Sequence, residues 1–151
     1  MKLDSELVGF LSGPVLLMVC AAGADRRPAI GRGLGLLVRA PDEIDVILSR
    51  WQWPDVVRNI GLSGRLALTA GRASDYVTYQ IKGAATVRDA DAEEVECARR
   101  YREAVTEALG QENVPAYIVA QWSPDRDMVA ARLRAVEVYV QTPGPLAGTS
   151  L

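Results

Sequence analysis

Apolar and polar residues alternate most regularly over Tyr76–Val87 (YVTYQIKGAATV). Val77, Tyr79, Ile81, Ala85 and Val87 fall on one face, and Thr78, Gln80, Lys82, Ala84 and Thr86 on the other. A period of two is the signature of a half-buried β-strand. Gly83 interrupts the pattern, as glycine does where a strand bulges or another backbone comes close. A solvated strand face usually carries several charges. This one carries an amide, one ammonium and small residues, a surface suited either to a sheet edge facing water or to a polar, partly buried ligand.

The same reading applied from the N-terminus predicts a helix to about Leu11, capped by Asp4 or Ser5. Val15–Ala22 is a short apolar run bounded by turn residues, the profile of a strand buried on both faces, with Cys20 buried and inert within it. Gly23-Ala24-Asp25 turns the chain into Arg27–Arg39, which reads as one returning strand. On that strand Gly31, Gly33 and Gly35 share a face and leave a strip without side chains, fit for a flat ring, another backbone or a sharp sheet corner. A dinucleotide-binding reading of these glycines fails, because no helix follows. Ile44–Ser49 is a third strand. Pro54 opens a short helix that ends at Gly61, and Gly64–Gly71 is a fourth strand.

Ala90–Gly110 is the clearest helix, capped by Asp89 or Asp91 and ended by Gly110, with a charged face assigned to solvent. A short helix from Pro115 to Trp122 and a long strand over Met128–Val140 follow. Residues 142–151, with two prolines and two glycines, read as an irregular tail. Hairpin-linked strands without a βαβ rhythm predict one domain over residues 1–151, mainly β with flanking helices, closed as a small antiparallel barrel.

Composition narrows the chemistry. The net charge is −2 and the pI about 5.2, which argues against a nucleic-acid partner. There is no histidine, so Ser-His and Cys-His hydrolysis and the usual histidine ligation of zinc or haem fall away. Two distant cysteines make no metal motif. The apolar run Pro14–Ala22 is too short to span a bilayer, and the chain reads as a cytoplasmic protein without a membrane partner. Its only lysines are Lys2 and Lys82, and Lys82 lies mid-strand beside Gln80.

Three segments, in order, resemble the pyridoxamine 5′-phosphate oxidase-like, FMN-binding split-barrel proteins. Arg27-Pro-Ala-Ile-Gly-Arg32 is similar to the family's R-x-x-x-x-K/R strand. Ile44–Arg50 and the helix after it are similar to the segment that delivers phosphate-binding groups. Tyr79–Gly83 is similar to its R-Q-V-R-x-G strand, with tyrosine replacing the first arginine. The family's S-R-K phosphate loop is SRWQWP here, and no counterpart of its C-terminal pyridoxal-phosphate arginine motif is present.

The resemblance implies an antiparallel split β-barrel and a homodimer with FMN at the subunit interface. It implies an oxidoreductase acting on a small molecule, or a carrier that holds a flavin or other cofactor without turnover. The candidate cofactor-binding residues are Arg27, Arg32, Ser49, Arg50, Trp51, Gln80 and Lys82. Arginine forks suit the phosphate. Trp51 or Trp53 offers a stacking face, Gln80 both donates and accepts along a ring edge, and Lys82 faces reduced, anionic flavin.

Overall fold

The structure is a computed structural model that describes residues 1–151. Helix α1 (Ser5–Leu11) starts at Asp4, whose carboxylate accepts from the Leu7 amide at 2.8 Å. Seven strands follow: β1 (Leu16–Ala22), β2 (Pro28–Arg32), β3 (Gly35–Ala40), β4 (Glu43–Ser49), β5 (Arg65–Gly71), β6 (Thr78–Asp89) and β7 (Met128–Val140). Helix α2 (Pro54–Ser63) separates β4 from β5, and helices α3 (Ala92–Gln111) and α4 (Ala116–Trp122) separate β6 from β7. Every strand pairing is antiparallel, in the order β2-β1-β5-β6-β7-β4-β3.

The two edge strands of that order, β2 and β3, are consecutive in the chain and joined only by Gly33 and Leu34. The sheet must therefore curl until its edges meet. The Gly33 amide donates to Leu17 of β1 at 2.9 Å, and the next amide, Leu34, donates to Ile47 of β4 at 2.6 Å. These two residues are the seam. The predicted continuous strand Arg27–Arg39 is thus two strands, and its glycines form no open strip. A side chain at Gly31 would lie 2.8 Å from Trp53, and one at Gly33 would lie 2.7 Å from Leu17. The space that glycine leaves is filled by the protein's own side chains.

The main core is a cluster built from alternating strand positions, including Leu17, Val19, Val46, Leu48, Leu68, Ile81, Leu133 and Val138, and closed by Leu7, Phe10 and Leu11 of α1. Residues of α3 form two small clusters beside it, one with Leu34 and Ile47 and one with Val119 of α4. Strand β1 is buried on one face only. Met18 is 45% exposed and Cys20 half-buried on its outer side, so Cys20 is not the core residue its apolar neighbours suggested. In β6 the apolar face faces inward as its alternation predicts. Opposite Gly83 the register slips by one residue at Val136 of β7, and a side chain at Gly83 would collide with the Arg134 carbonyl oxygen. The predicted glycine stops move slightly: α2 passes Gly61 and ends at Gly64, with φ 64°, while α3 passes Gly110 and ends before Asn113, with φ 63°. The tail after β7 turns back, and Val140 N donates to Thr149 O at 2.9 Å while Leu151 N donates to Val138 O at 3.0 Å.

Helix α3 is fastened to the barrel by charge. Asp91 and Glu94 form a capping box, with the Glu94 amide donating to Asp91 at 2.9 Å and the Asp91 amide donating to Glu94 at 2.8 Å. Glu94 is fully buried and takes Arg88 at 2.6 Å. Beneath it Asp45 of β4, also fully buried, takes Arg39 at 2.8 Å and Arg132 at 2.9 Å. The charged face of α3 (Glu96, Arg99, Arg100, Glu103 and Glu107) is exposed, as assigned, and the buried carboxylate belongs to the first turn before it. No helix is long and apolar enough to cross a membrane.

Candidate functional site

The register sets out the outer face of β2-β1-β5-β6-β7 row by row. One row reads Ile30, Cys20, Ala67, Lys82, Glu137, and the next reads Arg32, Met18, Thr69, Gln80, Tyr139. On the other side of the first row, Arg65 stands opposite Ala84. Paired residues share a face, so these side chains project together. Between them lies a trough of about 530 Å³ lined by Cys20, Ala22, Ala67, Ala84, Lys82 and Arg65, among others. Its floor is made of small residues because alanine recurs at the outward positions of three neighbouring strands.

The polar groups are few and specific. Lys82 makes no ion pair; its ammonium lies 4.8 Å from the centre of the Tyr139 ring. The Tyr139 hydroxyl donates to Glu137 at 3.1 Å, and the carboxylate's hydrogen bond and charge push the phenol pKa up. The Gln80 amide nitrogen donates to Thr69 at 3.2 Å, which leaves its carbonyl oxygen free. Arg65 has no acidic or aromatic partner. The trough thus pairs a small-residue floor with two cations, Lys82 and Arg65, and one carboxylate, Glu137, while the Gln80 amide lies one row away on the same face.

No family profile and no curated protein matches the sequence. The fold is nevertheless similar to solved structures. HupZ from Group A Streptococcus superposes with a TM-score of 0.59 at 16% identity, covering 97% of this chain and 100% of that one. A candidate pyridoxamine 5′-phosphate oxidase from Lactobacillus delbrueckii gives 0.55 at 15%, covering 92% and 94%. HutZ, a heme storage protein from Vibrio cholerae, gives 0.52 at 16%, covering 93% and 95%. The chain has the pyridoxamine 5′-phosphate oxidase-like split-barrel fold.

This split barrel brings together three of the seven residues singled out from the sequence. Arg32, Gln80 and Lys82 share the outer face, with Arg32 parked 4.5 Å over the Trp122 ring of α4. Arg27 stands in the β1–β2 hairpin, its side chain 88% exposed. Ser49, Arg50 and Trp51 lie together at the far end of β4. Ser49 is fully buried and donates to Arg126 O at 2.8 Å. Arg50 is held by Asp127 at 2.7 Å and Asp89 at 3.2 Å, and these carboxylates raise its pKa. Trp51 is stacked under Arg126 at 4.5 Å. Trp53, the other stacking candidate, packs over Gly31. Asp89 is seven residues along β6 from Lys82, roughly 23 Å at 3.3 Å per residue, so Arg50 and Lys82 of one chain do not meet.

Arg65, Cys20 and Glu137 line the trough and were not singled out as site residues. The signal for Arg65 is its place two residues before Ala67 on the outward face of β5. It becomes meaningful only once β5 is known to pair with β6.

Proposed function

We propose that the split barrel binds FMN in this trough and serves as an oxidoreductase for a small molecule, as a cytoplasmic homodimer whose two outer faces enclose the cofactor. The observation that carries the reading is the small-residue floor flanked by Lys82 and Arg65, with the free Gln80 carbonyl one row away on the same face. A planar ring system needs such a floor, an anionic phosphate needs a cation, and the polar ring edge needs an amide. The volume falls within the range of cofactor pockets. FMN, when bound, supplies hydride and single-electron transfer. Lys82 and Arg65 would hold its anionic groups, Gln80 would orient the ring edge, and a second subunit would exclude water. The second subunit is also the means by which Arg50, Trp51 or Arg27 would reach the same cofactor, whereas Ser49 is buried and already bonded.

A second reading is favoured by the likeness to HutZ: a carrier that holds its cofactor without turnover. One preparation separates the readings. The purified protein is expected to be yellow, to release FMN on denaturation and to be bleached by NADH or NADPH. A flavin spectrum that neither nucleotide bleaches supports the carrier. A colourless protein that neither quenches added FMN nor shifts the spectrum of added haem rules out both.

Lys82→Met is expected to weaken FMN binding about tenfold, the scale of one lost charged hydrogen bond, and to lower the potential of the bound flavin. Lys82→Arg should preserve part of both effects. A Met variant with unchanged affinity and potential would return Lys82 to an ordinary surface role.

A further inference from the structure

A second cavity, of about 590 Å³, opens where α1, β3 and α3 meet. Its walls are Val8 and Leu11 of α1, Leu36 and Val38 of β3, and Ala104 of α3. Arg100 is the one charged residue in the lining. The other polar side chains there are already engaged. Ser12 donates to Val8 O at 2.8 Å, Tyr101 to Val15 O at 2.9 Å and Cys97 to Leu36 O at 3.5 Å. Burial pushes the Cys97 thiol up, so that group stays neutral beside the cavity.

Arg100 is free for a local reason. Its acidic neighbours one turn away on α3, Glu96 and Glu103, are both taken by Arg99, Glu96 at 2.7 Å. Such freedom is rare in this chain. Ten of the 15 arginines are ion-paired, and Arg32 and Arg126 lie over tryptophan rings. Of the remaining three (Arg26, Arg65 and Arg100), two line the trough and this cavity.

We infer that this cleft is a binding site, separate from the trough, for an amphipathic carboxylate of the medium-chain fatty-acid class. The aliphatic chain would lie among Val8, Leu11, Leu36 and Val38, and the carboxylate on the Arg100 guanidinium. An apolar cavity with a single polar anchor selects a ligand with an apolar body and one polar end. Arginine at that anchor selects an anion that accepts two parallel hydrogen bonds.

The test is isothermal titration of the purified full chain with decanoate and, separately, with decanol. Decanoate is expected to bind saturably at one site per chain, and decanol about tenfold more weakly or worse. Arg100→Gln should bring decanoate down to the level of decanol, and Arg100→Lys should retain an intermediate affinity. Ala104→Phe, an exposed position at the rim, should abolish binding of both probes with an unchanged thermal melt. Absence of saturable decanoate binding overturns the assignment. So does wild-type affinity in Arg100→Gln, which would detach the charge from recognition, or in Ala104→Phe, which would place the ligand elsewhere.

Discussion

Asp45 shows how much one buried carboxylate can control. Burial alone would raise its pKa, yet hydrogen bonds from Arg132 and Arg39 outweigh that and bring it down to about 2. An unfolded aspartate titrates near 3.9, roughly two units higher. The group therefore contributes stability that is complete above about pH 4 and is lost as pH falls toward 2. Asp45→Asn leaves three arginines around a neutral amide and is expected to cost about 3 kcal/mol in urea unfolding at neutral pH. Its acid limb should also be flatter than that of the wild type. Gly83 is a steric counterpart. Any Cβ there meets backbone, so Gly83→Ala should cost at least about 3 kcal/mol.

At the scale of elements, α3 depends on its first turn. Asp91→Ala removes one half of the capping box and should lower stability by about 1 kcal/mol, read as a shift in the denaturation midpoint at constant slope. Elements were legible in the sequence wherever one local pattern determined them. The alternation of β6 and β7, the Pro54 start of α2 and the Asp91 cap are all set by residues close in the chain. The break at Gly33–Leu34 was not legible, because alternation runs through it unbroken and only barrel closure forces the bend. The Asp45 and Glu94 cluster was hidden for a related reason. Its partners Arg39, Arg88 and Arg132 come from three strands that meet only after folding, and a glutamate in a first helical turn looks the same whether solvated or buried. Most of the trough was likewise invisible: Lys82 was found on one strand, with Gln80 beside it, but the floor is assembled from the neighbouring strands.

The whole molecule is a sheet whose outer face is left with Met18, Ile30 and Val136 substantially exposed around the trough. Surfaces of that kind mark association sites. Light scattering at micromolar concentration is expected to give twice the chain mass, and a strictly monomeric result would remove the shared site from the proposal. The seam adds a second property of the whole. Leu17 leaves no space beside Gly33, so Gly33→Val should loosen barrel closure globally, seen as faster amide exchange in both β2 and β3.

The returning tail has a further consequence, for solubility. Beyond its pairing with β4, the far end of β7 offers the backbone of Val138, Tyr139 and Val140, three residues of high β-propensity. Residues 148–151 occupy that backbone, with Ser150 bridging to Tyr139. Removing everything after Gly144 would expose an apolar strand edge able to template pairing between molecules. The shortened protein is expected to keep its far-ultraviolet spectrum, yet to form thioflavin-positive aggregates on warming under conditions in which the intact chain stays clear.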